Sequence, residues 1–161
     1  MLISRFISRK NHLPVFATIQ WLTPDSFHYW QVECICQHLF PMNPYCLPIN
    51  PPAGSQQSIA AVVVRGTVLL SGRLVPIPSD GGECYYHISR LVAVKFYTEP
   101  MLHALLEALI DKAKALGARG LMIHIKQQSE ATCLKLGFTK VVAVYDDVEE
   151  KPLQKMFLSL E

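Results

Sequence analysis

Three β-rich runs followed by one long amphipathic helix constrain the fold more than any other feature of the sequence. The runs read IAAVVVRG, TVLLSGRLVPIP and ECYYHISRLVAV and lie between residues 59 and 94. The turn signal Asp80-Gly81-Gly82 separates the last two runs, which predicts an antiparallel meander. From Met101 to Leu116 apolar residues recur at helical spacing, and Gly117 is a suitable helix stop. The meander is therefore expected to lead into a helix with a wide buried face.

The segment before this block predicts a first helix. The stretch TPDSFHYWQVECICQHLF is typical of a helix that is capped by Thr23, carries a proline in its first turn and stops near Pro41. Phe27, Trp30 and Cys34, with His38 as a candidate fourth member, fall on one side of it and are expected to form a stripe that is apolar except at His38. The first twenty residues are ambiguous and hold at most one strand.

The segments after the long helix complete the predicted order. RGLMIHIK reads as a strand, QQSEATCLKLGF as a short helix closed by Gly137, and TKVVAVYDD and KMFLSL as two strands. The fold class is therefore expected to be α/β (α+β), with a mixed, mostly antiparallel central sheet and helices on both faces. Residues 1–161 are expected to form a single domain. The proline-rich segment 41–58 is either a lid or binding loop, or a flexible connector.

Composition excludes several classes of partner. Of the 161 residues, 50% are apolar and the net charge is only +2, so neither nucleic-acid binding nor disorder is expected. No run reaches the ~18 apolar residues of a membrane span, and no signal peptide is predicted. Five cysteines without CxxC spacing predict reduced thiols and a cytoplasmic location. Cys34 and Cys36 with His28 or His38 could bind a metal, but buried helical cysteines are favoured, and no metal is predicted.

The order of elements resembles that of the GNAT N-acyltransferase superfamily over residues 59–160. The motifs that carry the likeness are LVAV entering the long helix and the CLKLGF turn within Ser129 to Phe138. The resemblance implies transfer of an acyl group from acetyl-CoA or another acyl-CoA to an amine of a small molecule or protein. It also implies that a bulged fourth strand polarises the thioester carbonyl, while the following loop and helix start hold the pyrophosphate. The cofactor-binding residues implied are Val92, Val94, Tyr97, Thr98 and Met101.

Two positions depart from the pattern of that family. Its loop reads Arg or Gln, two spacers, Gly, a spacer, and Gly or Ala, and those positions are Tyr97, Pro100 and Leu102 here. Pro100 lacks an N–H, and Glu99 adds a negative charge, so the segment reads better as an ordinary helix start. Cys133 stands where the family often has a tyrosine that protonates the leaving thiolate. It is a catalytic candidate, and a buried structural cysteine is the alternative.

One subgroup of the superfamily shows a closer likeness in two strands. SGRLVPIP and HISRLVAV are similar to the paired strands of acyl-homoserine lactone synthases, which lack the glycine-rich loop and usually take acyl groups from acyl carrier protein. The resemblance implies that Arg73 and Arg90 bind substrate, and it places His87 where those synthases have a glutamate. The N-terminal pattern of the synthases is missing from Met1 to Pro52, so only the acyl-transfer scaffold is carried over.

Two histidines are the candidates for acid–base chemistry and for lining the cleft. A neutral imidazole titrates near pH 7, which makes His87 the best candidate for a base that deprotonates an amine. His124 lies in the strand after the long helix, and the resemblance to the GNAT superfamily implies that this strand splays from the fourth strand and forms a V-shaped cleft. His124 is therefore expected to contact substrate. By alternation, His87 and Arg90 point to opposite faces unless a bulge lies between them.

Arg90 lies in an otherwise apolar strand and needs a partner. Asp146, Asp147 and Glu130 are candidates for a structural ion pair, and a bound anion is the alternative. The leading prediction for the whole chain is a GNAT-fold N-acyltransferase that uses an acyl thioester of coenzyme A or of acyl carrier protein. The alternatives are a catalytically silent GNAT-like module that binds a partner or senses a metabolite, and an enzyme like the homoserine lactone synthases.

Overall fold

The computed structural model describes residues 17–39, 58–77, 81, 84–94, 97–146 and 151–161. Within these ranges, seven strands form one sheet, and three helices pack on it. The elements are β1 (Ala17–Leu22), α1 (Phe27–Leu39), β2 (Ser58–Val64), β3 (Thr67–Ile77), β4 (Tyr85–Ala93), α2 (Glu99–Ala115), β5 (Gly120–Lys126), α3 (Glu130–Lys135), β6 (Thr139–Asp146) and β7 (Lys151–Ser159). Apart from Ser58, the predicted proline-rich loop lies outside these ranges.

The sheet has the mixed, mostly antiparallel architecture that the sequence predicts. Its strand order is β1-β2-β3-β4-β5-β7-β6, and the β4–β5 pair is parallel while every other described pair is antiparallel. The parallel pair arises because α2 crosses over one face between β4 and β5. A tight turn at Arg65 and Gly66, with φ angles of 49° and 78°, joins β2 to β3. Positive φ at both positions matches the twist that a two-residue hairpin needs.

The two faces of the sheet carry separate apolar cores. On one face, the wide stripe of α2 is buried against inward residues of β2, β3, β4 and β5, including Leu74, Ile88 and Ile123. On the other face, α1 packs against Ile59, Val68 and further residues of the first strands. Helices on both faces are therefore confirmed. None of the described helices is long and apolar enough to span a membrane.

The orientation of α1 differs from the sequence prediction. Ser26, rather than Thr23, caps the helix, because the Tyr29 N–H donates to the Ser26 hydroxyl at 3.3 Å. The predicted stripe of Phe27, Trp30 and Cys34 faces solvent, with exposed fractions of 71% for Phe27 and 61% for Trp30. The buried side consists of Val32, Glu33 and Cys36, with Tyr29 and Ile35 beside them. The prediction was wrong because it took the most aromatic side of the helix for the packed one.

The long helix α2 follows its predicted course. Thr98 occupies the N-cap position with an extended backbone, although its side chain makes no capping hydrogen bond. Pro100 occupies the first turn, and the helix ends at Ala115, just before Gly117, whose φ is 77°. A glycine adopts this left-handed conformation without the strain of a Cβ atom. The sequence pattern was sufficient here because helical periodicity and both end signals agree.

Candidate active site

The strands β4 and β5 pair for only part of their length and then separate. Their parallel register runs from Tyr85 opposite Gly120 to Ile88 opposite Ile123. Beyond that point β4 continues to Ala93 as a partner of β3, and β5 continues to Lys126 as a partner of β7. The backbone edges that face each other are thus unpaired beyond Ile88 and Ile123. The predicted separation of these two strands is confirmed, and the cleft is the space expected between their unpaired edges.

A bulge in β4 lies on the edge of this cleft. Arg73 of β3 is opposite Ser89, but Ser71, two residues earlier, is opposite Val92, three residues later. Because β4 carries one extra residue here, Val92 returns to the same face of the sheet as Ser89 and His87. Strict alternation would place Val92 and His87 on opposite faces, and the bulge is the exception to alternation that the sequence allows for in this strand.

The bulge also determines which backbone N–H groups face the cleft. The Val94 N–H donates to the Leu69 carbonyl oxygen at 2.8 Å and so points toward β3. Successive residues of a strand direct their N–H groups to opposite edges, so the Ala93 N–H points away from β3 toward the gap. Ala93 thus supplies a donor in the cleft that Val94 does not.

His87 and His124 meet where the two strands begin to separate. His87 Nε2 lies 3.0 Å from His124 Nδ1, and the rings are perpendicular, with centroids 5.2 Å apart. Both side chains project from the face opposite α2, since His87 is aligned with Met122 and His124 is two residues further along β5. The structure therefore brings together the predicted base and the predicted cleft residue.

The surroundings keep both imidazoles neutral. Burial, then the neighbouring His124 and the charge of Lys155, lower the pKa of His87 to about 4. Burial and Lys155 also lower the pKa of His124. Lys155 is directly opposite His124 in the antiparallel β5–β7 pair, where facing side chains are neighbours. A neutral imidazole has a lone pair that can accept a proton. The same shift makes His87 a weaker base than a free imidazole, because a general base is most effective when its pKa lies near the working pH.

Two neutral histidines in this contact always leave one lone pair, a possible base, and one N–H group, a possible acid, outside their mutual hydrogen bond. Two neutral imidazoles hold two N–H groups and two lone pairs, and their mutual hydrogen bond uses one of each. If His87 donates, the remaining lone pair is on its Nδ1 and the remaining N–H is on His124 Nε2. If His124 donates, the remaining lone pair is on His124 Nε2 and the remaining N–H is on His87 Nδ1. Either tautomer leaves an acceptor at one end of the pair and a donor at the other.

Arg73 is held in a buried ion pair. It is 4% exposed and forms an ion pair with Glu33 of α1, which is 7% exposed. This pair ties α1 to the centre of the sheet, on the same face as His87. For Arg90, only the backbone position in β4 is described, and its predicted partner Glu130 forms an ion pair with Lys140.

The predicted cofactor-binding residues occupy different positions around β4. The side chains of Val92 and Val94 line a shallow apolar crevice beneath α1, with Val32, Ile35 and Val68 on its other walls. Tyr97 and Met101 pack against the α2 core, and Thr98 is exposed at the helix start. These side chains therefore do not converge on one site, and a contact with a donor would have to involve the backbone of this segment.

Cys133 is in the core rather than in the cleft. Its side chain is fully buried within the α2 core, and burial, with a smaller contribution from Glu130, raises the pKa of its thiol to about 12. A thiol with such a pKa, shielded from solvent, is a poor proton donor to a leaving group. The geometry therefore favours the packing role over the predicted catalytic one. Among the residues that the structure places, no group of three or more His, Cys, Asp or Glu could hold a metal ion.

Similarity to known proteins is visible in the fold and not in the sequence. No protein-family model and no curated protein matches the chain. Among solved structures, an acyl-CoA N-acyltransferase from Pseudomonas aeruginosa is 17% identical, with a TM-score of 0.65 over 88% of this chain and 99% of its own. FeeM, an N-acyl amino acid synthase from uncultured soil microbes, is 9% identical, with a TM-score of 0.70 over 89% of this chain and 92% of its own.

A third solved structure of this fold contains a ligand. Arabidopsis thaliana Naa50, in complex with the bisubstrate analogue CoA-Ac-MVNAL, is 14% identical to this chain. Its TM-score is 0.65, and the match covers 88% of this chain and 99% of Naa50. These likenesses show that the chain has the GNAT fold. At such low identity they carry no information about donor or acceptor.

Proposed function

We propose that the protein is an N-acyltransferase that moves an acyl group from a thioester to an amine. The observation that carries the proposal is the His87–His124 pair, which lies where β4 and β5 part. In this pair His87 Nε2 is 3.0 Å from His124 Nδ1. Amide formation from a thioester needs a base for the amine, a donor for the carbonyl oxygen and a proton for the thiolate. The cleft offers a group for each of these needs.

The histidine pair performs both proton transfers in this proposal. Its free lone pair accepts a proton as the amine nitrogen bonds to the acyl carbon, and its free N–H donates a proton to sulfur as the C–S bond breaks. The proton in the hydrogen bond between His87 Nε2 and His124 Nδ1 crosses from one ring to the other at the same time, so both rings end neutral. The pair ends with the same number of protons that it began with, since one is gained and one is lost. Cys133 is not needed as an acid.

The backbone of β4 stabilises the acyl carbonyl. Negative charge develops on the carbonyl oxygen during the reaction, and a fixed N–H donor at that position lowers the barrier. The Ala93 N–H, directed into the gap beside the bulge, is the group that we assign to this role. His124 borders the cleft from β5, and the acyl chain lies between the two strands.

Activity of histidine variants tests the proposal. Purified protein is incubated with acetyl-CoA or acetyl-pantetheine and a panel of amines, and thiol release is followed together with product mass. His87→Asn and His124→Asn are each expected to reduce kcat/KM by roughly 10²–10⁴-fold, the range for loss of an acid–base group. His103→Asn, a partly exposed histidine of α2, is the control and is expected to retain full activity. Full activity in His87→Asn would contradict the assignment.

A catalytically silent module with the same fold is the second candidate. It is favoured by the start of α2, which carries Glu99 and Pro100 where an anion site would need donors, and by the buried thiol of Cys133. Such a module would bind a thioester or a partner without turnover. Thioester binding without thiol release, across amines and carrier-protein donors, would decide for it. We also propose that the donor is a thioester of coenzyme A or of acyl carrier protein, and that the protein is cytoplasmic.

A further inference from the structure

The resemblance to the GNAT superfamily implies that the pyrophosphate of coenzyme A would be held at the first turn of α2, where most of the backbone donors are already used. Pro100 has no N–H, and the N–H groups of Met101 and Leu102 both donate to the Thr98 carbonyl oxygen, at 3.1 and 3.2 Å. A diphosphate needs several free N–H groups or cations at a helix start. The backbone of this turn offers few.

The carboxylate of Glu99 binds the groups of α3 that could otherwise contact a phosphate. Its Oε1 accepts hydrogen bonds from the Lys135 ammonium at 3.1 Å and from the Thr132 hydroxyl at 3.2 Å. The second lysine beside α3, Lys140, forms an ion pair with Glu130. Each of these cations is thus neutralised by a carboxylate of the chain.

We infer that Glu99 is a specificity residue that excludes the diphosphate of coenzyme A, so that a thioester donor is held by its pantetheine arm alone. The inference rests on the proposed function, since it presumes that a thioester enters the β4–β5 cleft. A diphosphate brought to this turn would meet the Glu99 carboxylate at short range and a lysine already paired. Removal of the negative charge leaves the Lys135 ammonium available.

Binding of two donors that differ only in the nucleotide tests this inference. Isothermal titration calorimetry compares acetyl-pantetheine with acetyl-CoA, in the absence of an amine. For the wild-type protein, acetyl-CoA is expected to bind no more tightly than acetyl-pantetheine, because the Glu99 carboxylate repels the diphosphate and the nucleotide makes no net favourable contact. In Glu99→Gln, acetyl-CoA is expected to bind about tenfold more tightly, as removal of one nearby unit charge in water implies, while acetyl-pantetheine binding is unchanged.

Two further variants separate the local effect of Glu99 from a change in net charge. Glu107→Gln removes the same charge further along α2, where Glu107 contacts His103 at 3.8 Å, and is expected to leave both constants unchanged. The double variant Glu99→Gln/Lys135→Met is expected to lose the gain in acetyl-CoA affinity. Melting temperatures confirm that the variants are folded, which is expected because both Glu99 and Lys135 side chains are more than half exposed.

The possible failures have different patterns. Wild-type protein that binds acetyl-CoA more than threefold more tightly than acetyl-pantetheine overturns the inference and leaves the acyltransferase proposal intact. The inference is also overturned, with the same consequence for the proposal, if Glu99→Gln and Glu107→Gln change acetyl-CoA binding equally. If neither thioester binds to the wild-type protein, the proposed function fails, and the inference fails with it.

Discussion

Lys155 is the charged residue that most directly controls the candidate histidine pair. It lies opposite His124 across the β5–β7 register, and its charge lowers the pKa of both imidazoles. Substitution with methionine keeps the length of the side chain and removes the charge. The pKa values of His87 and His124 are therefore expected to rise in Lys155→Met.

NMR titration of the histidine ring protons measures this effect. Lys114→Met, which removes an exposed charge from α2, is the control and is expected to leave both midpoints in place. An unchanged midpoint for His87 in Lys155→Met would show that the lysine does not influence the pair.

The low pKa of His87 also predicts how stability depends on pH. The imidazole titrates near 6.5 in the unfolded chain and at about 4 in the folded protein, mainly because of burial. Between these values the unfolded state binds more protons, so stability is lost as pH falls from 6.5 toward 4. For this one group the loss in the free energy of unfolding is about 3 kcal/mol.

Urea denaturation of the wild-type protein and of His87→Asn, at several pH values, isolates this contribution from that of the carboxylates. The difference in unfolding free energy between the two proteins is expected to shrink as pH falls from 7 to 4. A difference that stays constant over this range would contradict the linkage.

The buried Arg73–Glu33 pair gives a prediction for the residue that sequence resemblance assigns to substrate binding. Removal of one partner leaves a buried charge without compensation, so Arg73→Met is expected to destabilise the protein by about 3–5 kcal/mol. The double variant Arg73→Met/Glu33→Leu is expected to regain most of this loss. Lys140→Met, in the more exposed pair with Glu130, should cost less than about 1 kcal/mol. If Arg73→Met lowers the free energy of unfolding by less than about 1 kcal/mol in urea denaturation, a role of Arg73 in substrate binding would be favoured instead.

At the scale of single residues, the sequence identifies His87 and His124 as separate candidates but does not predict that they form a pair. An imidazole inside an apolar strand is a visible signal in each case. Their contact depends on the parallel register that sets His87 beside Met122, and this register joins segments more than thirty residues apart. Lys155 carried no signal of its own, since a lysine near the end of a strand is usually solvated. Only the pairing of β5 with β7 shows which residue faces the imidazoles.

At the scale of elements, the strand β4 and the helix α2 meet over Gly72 of β3. A Cβ atom at Gly72 would lie 3.0 Å from Leu109 Cδ1 of α2 and 3.4 Å from Leu91 Cδ1 of β4. Gly72 is also the residue opposite the bulge. The absence of a side chain here allows α2 to approach the sheet beside the bulged strand.

Substitution at this glycine is therefore expected to loosen the packing of α2. Gly72→Val should lower the free energy of unfolding by about 1–3 kcal/mol, the usual range for overpacking a core. Gly81→Val, at an exposed position where a Cβ atom would have no described neighbour within 4 Å, serves as the control and should be nearly neutral. Equal stability of the Gly72→Val and wild-type proteins in urea would show that α2 is not packed against this site.

Secondary structure was predictable wherever a periodic pattern and its end signals agreed. The meander and α2 satisfy this condition. The orientation of α1 was not predictable in this way, because aromatic residues on its outer side compete with the shorter pattern of Tyr29, Val32 and Cys36. The bulge in β4 has no local signature either, since it results from the register with β3.

At the scale of the whole molecule, the order of the strands and helices was sufficient to predict the GNAT fold. A long crossover helix after an antiparallel meander is typical of a parallel pair of strands, and the structure has this pair in the middle of the sheet. In that arrangement β4 and β5 become neighbours, and their separation beyond Ile88 and Ile123 creates the cleft. The acceptor and the acyl chain length leave no comparable trace in the order of elements.

The central claim is that the gap between β4 and β5 receives a thioester beside the histidine pair. NMR chemical-shift mapping with acetyl-pantetheine tests it most directly. The claim predicts that the Ala93 amide and the rings of His87 and His124 shift on titration, while the Val68 amide in the crevice beneath α1 does not. Shifts confined to that crevice, or an absence of shifts at saturating acetyl-pantetheine, would contradict it.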